Sequence, residues 1–255
     1  VGSEMCIRDR VSSALDFILP FEKYKITAGA KVSFTNTRNG INYDTSDPTL
    51  VQDDYFRYKE QIYALYADYS REYSERFSMQ LGLRMEHTRT TGISEAKDTE
   101  DKHDYTRLFP TVYLLYSPTD GHALNFSFSN RISRPSQNMV NPFPFYQNKY
   151  TYACGREDLK PSYTYNVELG YTLKNNFNVS AYYSYSDDVF FQVVDLDAET
   201  NVTSFLWENF MQTHAFGLNN SYTFRTKWLQ AYAQHGVSYR RTTSSAATTS
   251  PEEKG

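Results

Sequence analysis

The 255-residue sequence has no stretch approaching the roughly 18 consecutive apolar residues of a membrane-crossing helix, and its mean hydropathy is -0.65. A helical membrane protein is thereby excluded. Cysteine is almost absent: only Cys6 and Cys154 occur, the first within an atypical N-terminal segment. A lone thiol builds neither a disulfide framework nor a metal cluster. Cations do not exceed anions, since 26 Lys and Arg stand against 30 Asp and Glu for a formal net charge of -4. That balance excludes a general nucleic-acid binder, which carries a basic surplus. No HExxH, GxSxG, GxGxxG or Walker pattern occurs, and His87, His103, His122, His214 and His235 fall in separate segments. No catalytic constellation, metal site or cofactor site emerges from them.

What is abundant is aromatic. There are 23 Tyr and 17 Phe against 2 Trp, within a chain that is 40% hydrophobic and 22% charged. A polar average with many aromatics means dispersed apolar residues, so the informative quantity is their spacing. Residues 1–10 do not fit the rest of the chain; Met5-Cys6-Ile7-Arg8-Asp9-Arg10 resembles translated sequencing adapter and is left out of the fold expectations. No charged start followed by an apolar core marks a signal peptide, so the true start of the gene is expected upstream.

From residue 11 onward the period is two, the mark of strands with unlike faces. Tyr165, Val167, Leu169, Tyr171 and Leu173 face one way, with Asn166, Glu168, Gly170 and Thr172 opposite. The same alternation sets Phe77, Met79, Leu81, Leu83 and Met85 against Ser78, Gln80, Gly82, Arg84 and Glu86. It recurs from Ile26 to Thr35, Leu124 to Ile132 and Phe177 to Ser186, and more weakly near Tyr63 to Tyr69, Phe216 to Phe224 and Leu229 to Tyr239. Leu108 to Tyr116 is apolar in both phases and its faces stay unassigned. With a piece around Leu15 to Leu19, about ten strands are expected. The clean ones have the length of membrane-spanning strands, about 9–11 residues, rather than the 5–6 of a soluble sandwich.

Connection length alternates too. Tight turns are expected at Pro20–Tyr24, Ser70–Arg76, Ser117–His122, Lys174–Asn176 and Arg225–Lys227. Long acidic loops are expected at Thr37–Tyr55, Thr91–Asp104, Arg134–Ser162 and Asp187–Glu208. Short turns on one side and long loops on the other are how outer-membrane barrels are built. A Lys or Arg on the lipid face at the midplane costs roughly 2–4 kcal/mol, so the faces bearing Lys31, Arg84, Glu86 and Glu168 belong in the lumen. The fold class is therefore all-β, an antiparallel transmembrane barrel over residues 11–240, followed by a truncated extracellular loop at residues 241–255.

One ordered series of motifs is recognisable. Ser129-Asn130-Arg131-Ile132-Ser133-Arg134-Pro135, Asn141-Pro142-Phe143, Asp158-Leu159-Lys160-Pro161-Ser162 and Glu168-Leu169-Gly170-Tyr171 resemble the barrel of TonB-dependent receptors, most of all the outer-membrane β-barrel family of Bacteroidetes. Gly155-Arg156-Glu157 stands where that family has Gly-Asn-Pro, and Met139-Val140 where it has Leu, which leaves the turns of this loop open. The resemblance implies a barrel of roughly 22 strands in the outer membrane of a Gram-negative bacterium, of which these residues supply about half. It implies energy from the TonB complex through a plug domain missing from this chain, a surface lipoprotein partner, and uptake of a scarce nutrient such as an iron chelate or glycan. It implies no enzyme. A passive channel or small closed barrel without a plug is the alternative, and a soluble β-rich binding module the third.

Candidate site residues follow from both readings. Arg131 and Arg134 either contact a plug or anionic substrate, or end a strand and hold a loop. Phe143, Phe145, Tyr146, Tyr150 and Tyr152 form either a stacking platform or the self-packing of a long loop. Arg84, Glu86 and Glu168 complete the expected lumen set. Asp53-Asp54, Asp187-Asp188 and Asp195 with Asp197 lack the spacing of a calcium loop and read as solvated acids.

Overall fold

The computed structural model describes the backbone of residues 2–43, 54–95 and 98–244, and the side chains of residues 6–40, 55–95 and 98–244. Asp53-Asp54 of the acidic pairs and residues 245–255 of the expected C-terminal loop lie outside the described side chains. Ten long strands run in order: β1 (Gly2–Pro20), β2 (Lys25–Tyr43), β3 (Asp54–Ser74), β4 (Phe77–Ser94), β5 (Thr99–Tyr116), β6 (His122–Ser133), then β9 (Ser162–Leu173), β10 (Phe177–Asp197), β11 (Val202–Arg225) and β12 (Gln230–Ser244). Between β6 and β9 lie a single helical turn, α1 (Gln137–Val140), and two four-residue strands, β7 (Phe145–Asn148) and β8 (Thr151–Cys154).

The long strands form one antiparallel wall in the order β1-β2-β3-β4-β5-β6-β9-β10-β11-β12, and among the described residues it does not close. The β7–β8 hairpin adds to it sideways, with β8 running parallel to Thr203–Leu206 of β11. The expected tight turns are where the wall reverses. At Lys174 and Asn175 both φ values are positive, 49° and 56°, as a two-residue hairpin matching the right-handed twist of its strands requires.

Four expectations about loops need correcting. Thr91–Asp104 and Asp187–Glu208 are not loops: β4 continues to Ser94, β5 begins at Thr99, β10 continues to Asp197 and β11 begins at Val202. The β2–β3 hairpin likewise reaches Ile41↔Asp54. Hairpin ladders satisfy backbone groups whatever the side chains are, so polar Thr- and Asp-rich sequence above the membrane stays in strand. The expected loop at 241–255 also starts later, since β12 runs to Ser244. At the other end, Gly2–Arg10 pairs with Thr35–Tyr43 as the first half of β1.

The faces fall as the alternation demands. Leu83, Leu108, Leu169 and Leu218 are about half exposed on the outside. Ser33, Thr35, Thr37, Asn39, Glu86, Thr88 and Thr90 are buried on the concave side. Gln80, Gly82, Arg84 and Glu86 share that concave face of β4, which pairs Phe109 and Thr111 of β5 to the same side. Pro110 marks a break: the β5–β6 ladder runs only from Thr111↔Ser129 to Tyr116↔Leu124. Proline has no N–H to donate to a ladder. Above it, Thr99–Pro110 of β5 has no strand partner on that side among the described residues.

Candidate functional site

Residues 134–161 do not stand out from the wall; they fold back over its concave face. The turn α1 delivers Val140, and Leu159 arrives just before β9. Both pack on Phe56 of β3 to form a buried cluster, with Tyr58, Met139, Phe190 and Trp207 around it. Phe190 is kept on this side by two offsetting irregularities of the β10–β11 ladder near Asp187, Asp188 and Phe210. A bulge of this kind re-aims side chains without losing the strand.

Backbone contacts close the loop. Gly155 N donates to Asn141 O at 2.8 Å and Arg156 N to Met139 O at 2.8 Å. A side chain at 155 would sit 2.7 Å from Met139 O and from Asn141 N, so glycine is required where these segments cross. Arg156 then pairs with Asp158 and with Glu208 of β11, each at 2.7 Å. Asn209 accepts from Lys160 N at 2.8 Å and donates to Lys160 O and Asp188 O at 2.9 and 2.7 Å. The unpaired edge of β5 is tied to the loop as well: Glu157 accepts from Thr99 Oγ1 at 3.2 Å, and its carbonyl lies 3.0 Å from the His103 ring.

The polar centre of the site is Arg134. Its Nη2 donates to Glu86 Oε2 at 2.8 Å and Thr88 Oγ1 at 3.1 Å; its Nε donates to Tyr105 OH at 3.3 Å and lies 3.6 Å from Glu60 Oε1. Arg84 joins from below, 3.2 Å from Glu86 Oε1 and 4.9 Å over the Phe109 ring. Glu86 is 7% exposed, and each of its two carboxylate oxygens faces one of these two guanidiniums. Tyr58, above the membrane band, has its phenol pushed well up by burial and remains a neutral hydroxyl.

Of the spaces that border this cluster, two bear on the site. One, of about 390 Å³, lies between the loop and β5, bounded by Tyr58, His103, Tyr105, Arg107, Leu159 and Tyr163. The other, of about 610 Å³, lies lower in the concavity and presents Lys31, Asp68, Arg84 and Arg131. Its polar lining comes from the faces that the alternation assigned to the lumen.

The expected site residues therefore separate. Arg84, Glu86 and Arg134 meet in one network. Arg131 is exposed on the lower space, and Glu168 lies along β9 opposite Ser127 and Tyr182, outside the network. Phe143 is buried within the loop at 4% exposure, whereas Phe145 and Tyr150 are open to solvent. Tyr146 and Tyr152 pack on each other at 5.5 Å across the small hairpin, and Lys149 sits 4.8 Å over the Tyr150 ring. Glu60, Tyr105, His103, Glu157 and Asn209 were not among the expected residues. The alternation of Phe56, Tyr58 and Glu60 with Arg57 and Lys59 was the one signal that could have placed Glu60 on the inner face. Among the described residues no cluster of potential metal ligands occurs.

The wall resembles known barrels. The structure of the copper transporter OprC superposes with a TM-score of 0.71 at 12% identity, covering 96% of this chain and 39% of that one. The FrpB iron transporter from Neisseria meningitidis gives 0.62 at 14% identity, covering 96% and 38%. The ferric enterobactin receptor PfeA from Pseudomonas aeruginosa gives 0.61 at 14% identity, covering 91% and 35%. These residues thus span less than two fifths of those chains, and the likeness is one of fold. Comparison with curated protein sequences gives no match. The model of the outer membrane protein beta-barrel family matches residues 6–254, and with its half-barrel wall, apolar outside and polar inside, this chain belongs to that family of the Gram-negative outer membrane.

Proposed function

We propose that these residues form part of the barrel of a TonB-dependent uptake receptor, and that the folded loop at 134–161 is its cargo-facing element. The observation that carries this reading is the loop itself, anchored into the mouth by Arg134 and the Phe56 cluster above a polar lumen. A simple pore has no need of so many ties across its entrance. The cargo is a scarce nutrient such as an iron chelate or a glycan. Energy arrives from the TonB complex through a plug domain of the parent protein, and a surface lipoprotein is the further partner. OprC, FrpB and PfeA carry copper, iron and ferric enterobactin by their names, and at 12–14% identity they support the class and no particular cargo.

The test is uptake of labelled iron chelates and of labelled glycans by cells with and without the parent gene. The expected result is accumulation of one cargo class that falls to the deletion background when a protonophore collapses the proton gradient. Uptake that persists under the protonophore identifies the passive channel instead. Affinity purification of the parent protein checks the lipoprotein partner, which should co-purify.

A further inference from the structure

The direction of the main-chain bonds along β5 follows from one contact and an unbroken register. Ser117 N donates to Arg76 O at 2.7 Å. The β4–β5 ladder continues from there without a shift, from Phe77↔Tyr116 to Ser94↔Thr99. Antiparallel pairs exchange their main-chain bonds at every second residue. The odd-numbered residues of β5 therefore turn N–H and C=O toward β4, and the even-numbered ones turn theirs away. Below Pro110 the even-numbered residues meet β6. Pro110 is itself even-numbered, so its missing N–H takes no bond from β4. Above it, Lys102, Asp104, Thr106 and Leu108 aim N–H and C=O at the open side, where these groups have no hydrogen-bond partner among the described residues.

This open edge is framed at both ends. At the top, Glu157 reaches across to Thr99 and His103. At the foot, Arg107 Nε donates to Tyr163 OH at 3.2 Å, with its guanidinium 5.1 Å over the Tyr163 ring. Between them the edge borders the space of about 390 Å³, whose far wall is Leu159, Lys160 and Pro161 of the folded loop. From Lys102 to Thr106 the edge measures about 13 Å at about 3.3 Å per residue, the length of four to five extended residues. A row of donors and acceptors at that repeat is complementary to another peptide main chain. The molecule already uses this mode once: β8 lies along Thr203–Leu206 of β11, with Thr203 N donating to Tyr150 O at 2.8 Å. Arg134 borders both this space and the lower one, so an occupant lies beside the lumen and not on the outer surface. Its volume is at the small end of ligand pockets, which suits a short peptide better than the edge of a large partner.

We infer that the upper edge of β5, from Lys102 to Thr106, binds a short extended peptide by strand addition. Main-chain bonds to Lys102, Asp104 and Thr106 hold it, and its alternate side chains point toward the folded loop and away from it. The inference goes beyond the uptake reading: it rests on the topology of the sheet and is independent of TonB.

The experiment uses the full-length parent protein, purified in detergent and immobilised, with two pools of pentapeptides of the same random sequence and the same charge. One pool is unmodified. The other is methylated on two successive main-chain amides, so that neither edge of the extended chain is intact. Retained peptide is measured by mass spectrometry. The unmodified pool should bind at least about tenfold more tightly, the effect of about two main-chain hydrogen bonds. Thr106→Pro removes one donor from the open edge and leaves the β4 ladder whole; it should weaken retention by about fivefold or more. Thr106→Val keeps the N–H and should retain peptide as the wild type does. Equal retention of the two pools, or by the two Thr106 variants, overturns the inference. So does a failure to retain either pool; a Thr106→Cys chain that cross-links in cells to another protein or to a second copy then identifies the occupant instead. If Thr106→Pro does not fold, as shown by loss of its heat-dependent gel mobility, the comparison of pools on the wild type decides alone. Loss of uptake with peptide binding intact would count against the transport reading only.

Discussion

Arg134 shows how much one side chain organises here. It links the start of the long loop to Glu86 and Thr88 of β4, Tyr105 of β5 and Glu60 of β3. Removing one partner of a buried ion pair leaves the other uncompensated, at about 3–5 kcal/mol for full burial. The Arg134 side chain is 21% exposed, so Arg134→Gln should cost less, about 2–3 kcal/mol. The check is the temperature at which the parent protein loses its heat-dependent gel mobility, which should fall; adding Glu86→Gln should restore part of it. Gly217 offers a second test. A side chain there would run into the ring of Tyr182, which lies flat across it from the neighbouring strand. Gly217→Val should destabilise by about 1–3 kcal/mol, and Tyr182→Ala in the same chain should relieve most of that. A variant indifferent to Tyr182 would show that the ring has another place to go.

At the scale of the element, the folded loop is held by few apolar groups, chiefly Val140 and Leu159 on Phe56. Leu159→Ala should weaken its seat by about 2 kcal/mol, making release about thirtyfold more frequent. Cys154, half-buried in β8, reports this directly: its labelling by a maleimide should accelerate in the variant, and an unchanged rate would place the anchor elsewhere. The strands themselves were legible in the sequence because a two-sided wall between lipid and water imposes period two. Their upper halves were not, since above the membrane both faces meet water and Thr91, Thr99 or Asp195 carry no contrast. The loop's inward fold was equally hidden. Nothing local marks Arg134 as the partner of Glu86 and Glu60; the sheet register brings them together. The motif from Arg131 to Pro135 flagged the position without revealing what it touches.

For the whole molecule, the wall as described ends in two open edges, β1 and β12. Open strands are templates for pairing with other chains. These 255 residues expressed alone in detergent should therefore form oligomers by light scattering, and a monodisperse monomer would mean that β1 and β12 can meet. The outer surface is committed to lipid, with Leu65, Leu83, Leu169 and Leu218 exposed in sequence-distant strands, which is why a soluble binding module fails as a description. The interruption at Pro110 has a wider consequence. Where β5 loses its neighbour, the described residues bridge the gap with Glu157, bonded to Thr99 and His103, rather than with another strand. The segment proposed to meet incoming cargo is thus also a piece of the container. Grafting a foreign segment between Ser133 and Ser162 to change what is recognised must therefore also mend the seam, or the vessel will leak.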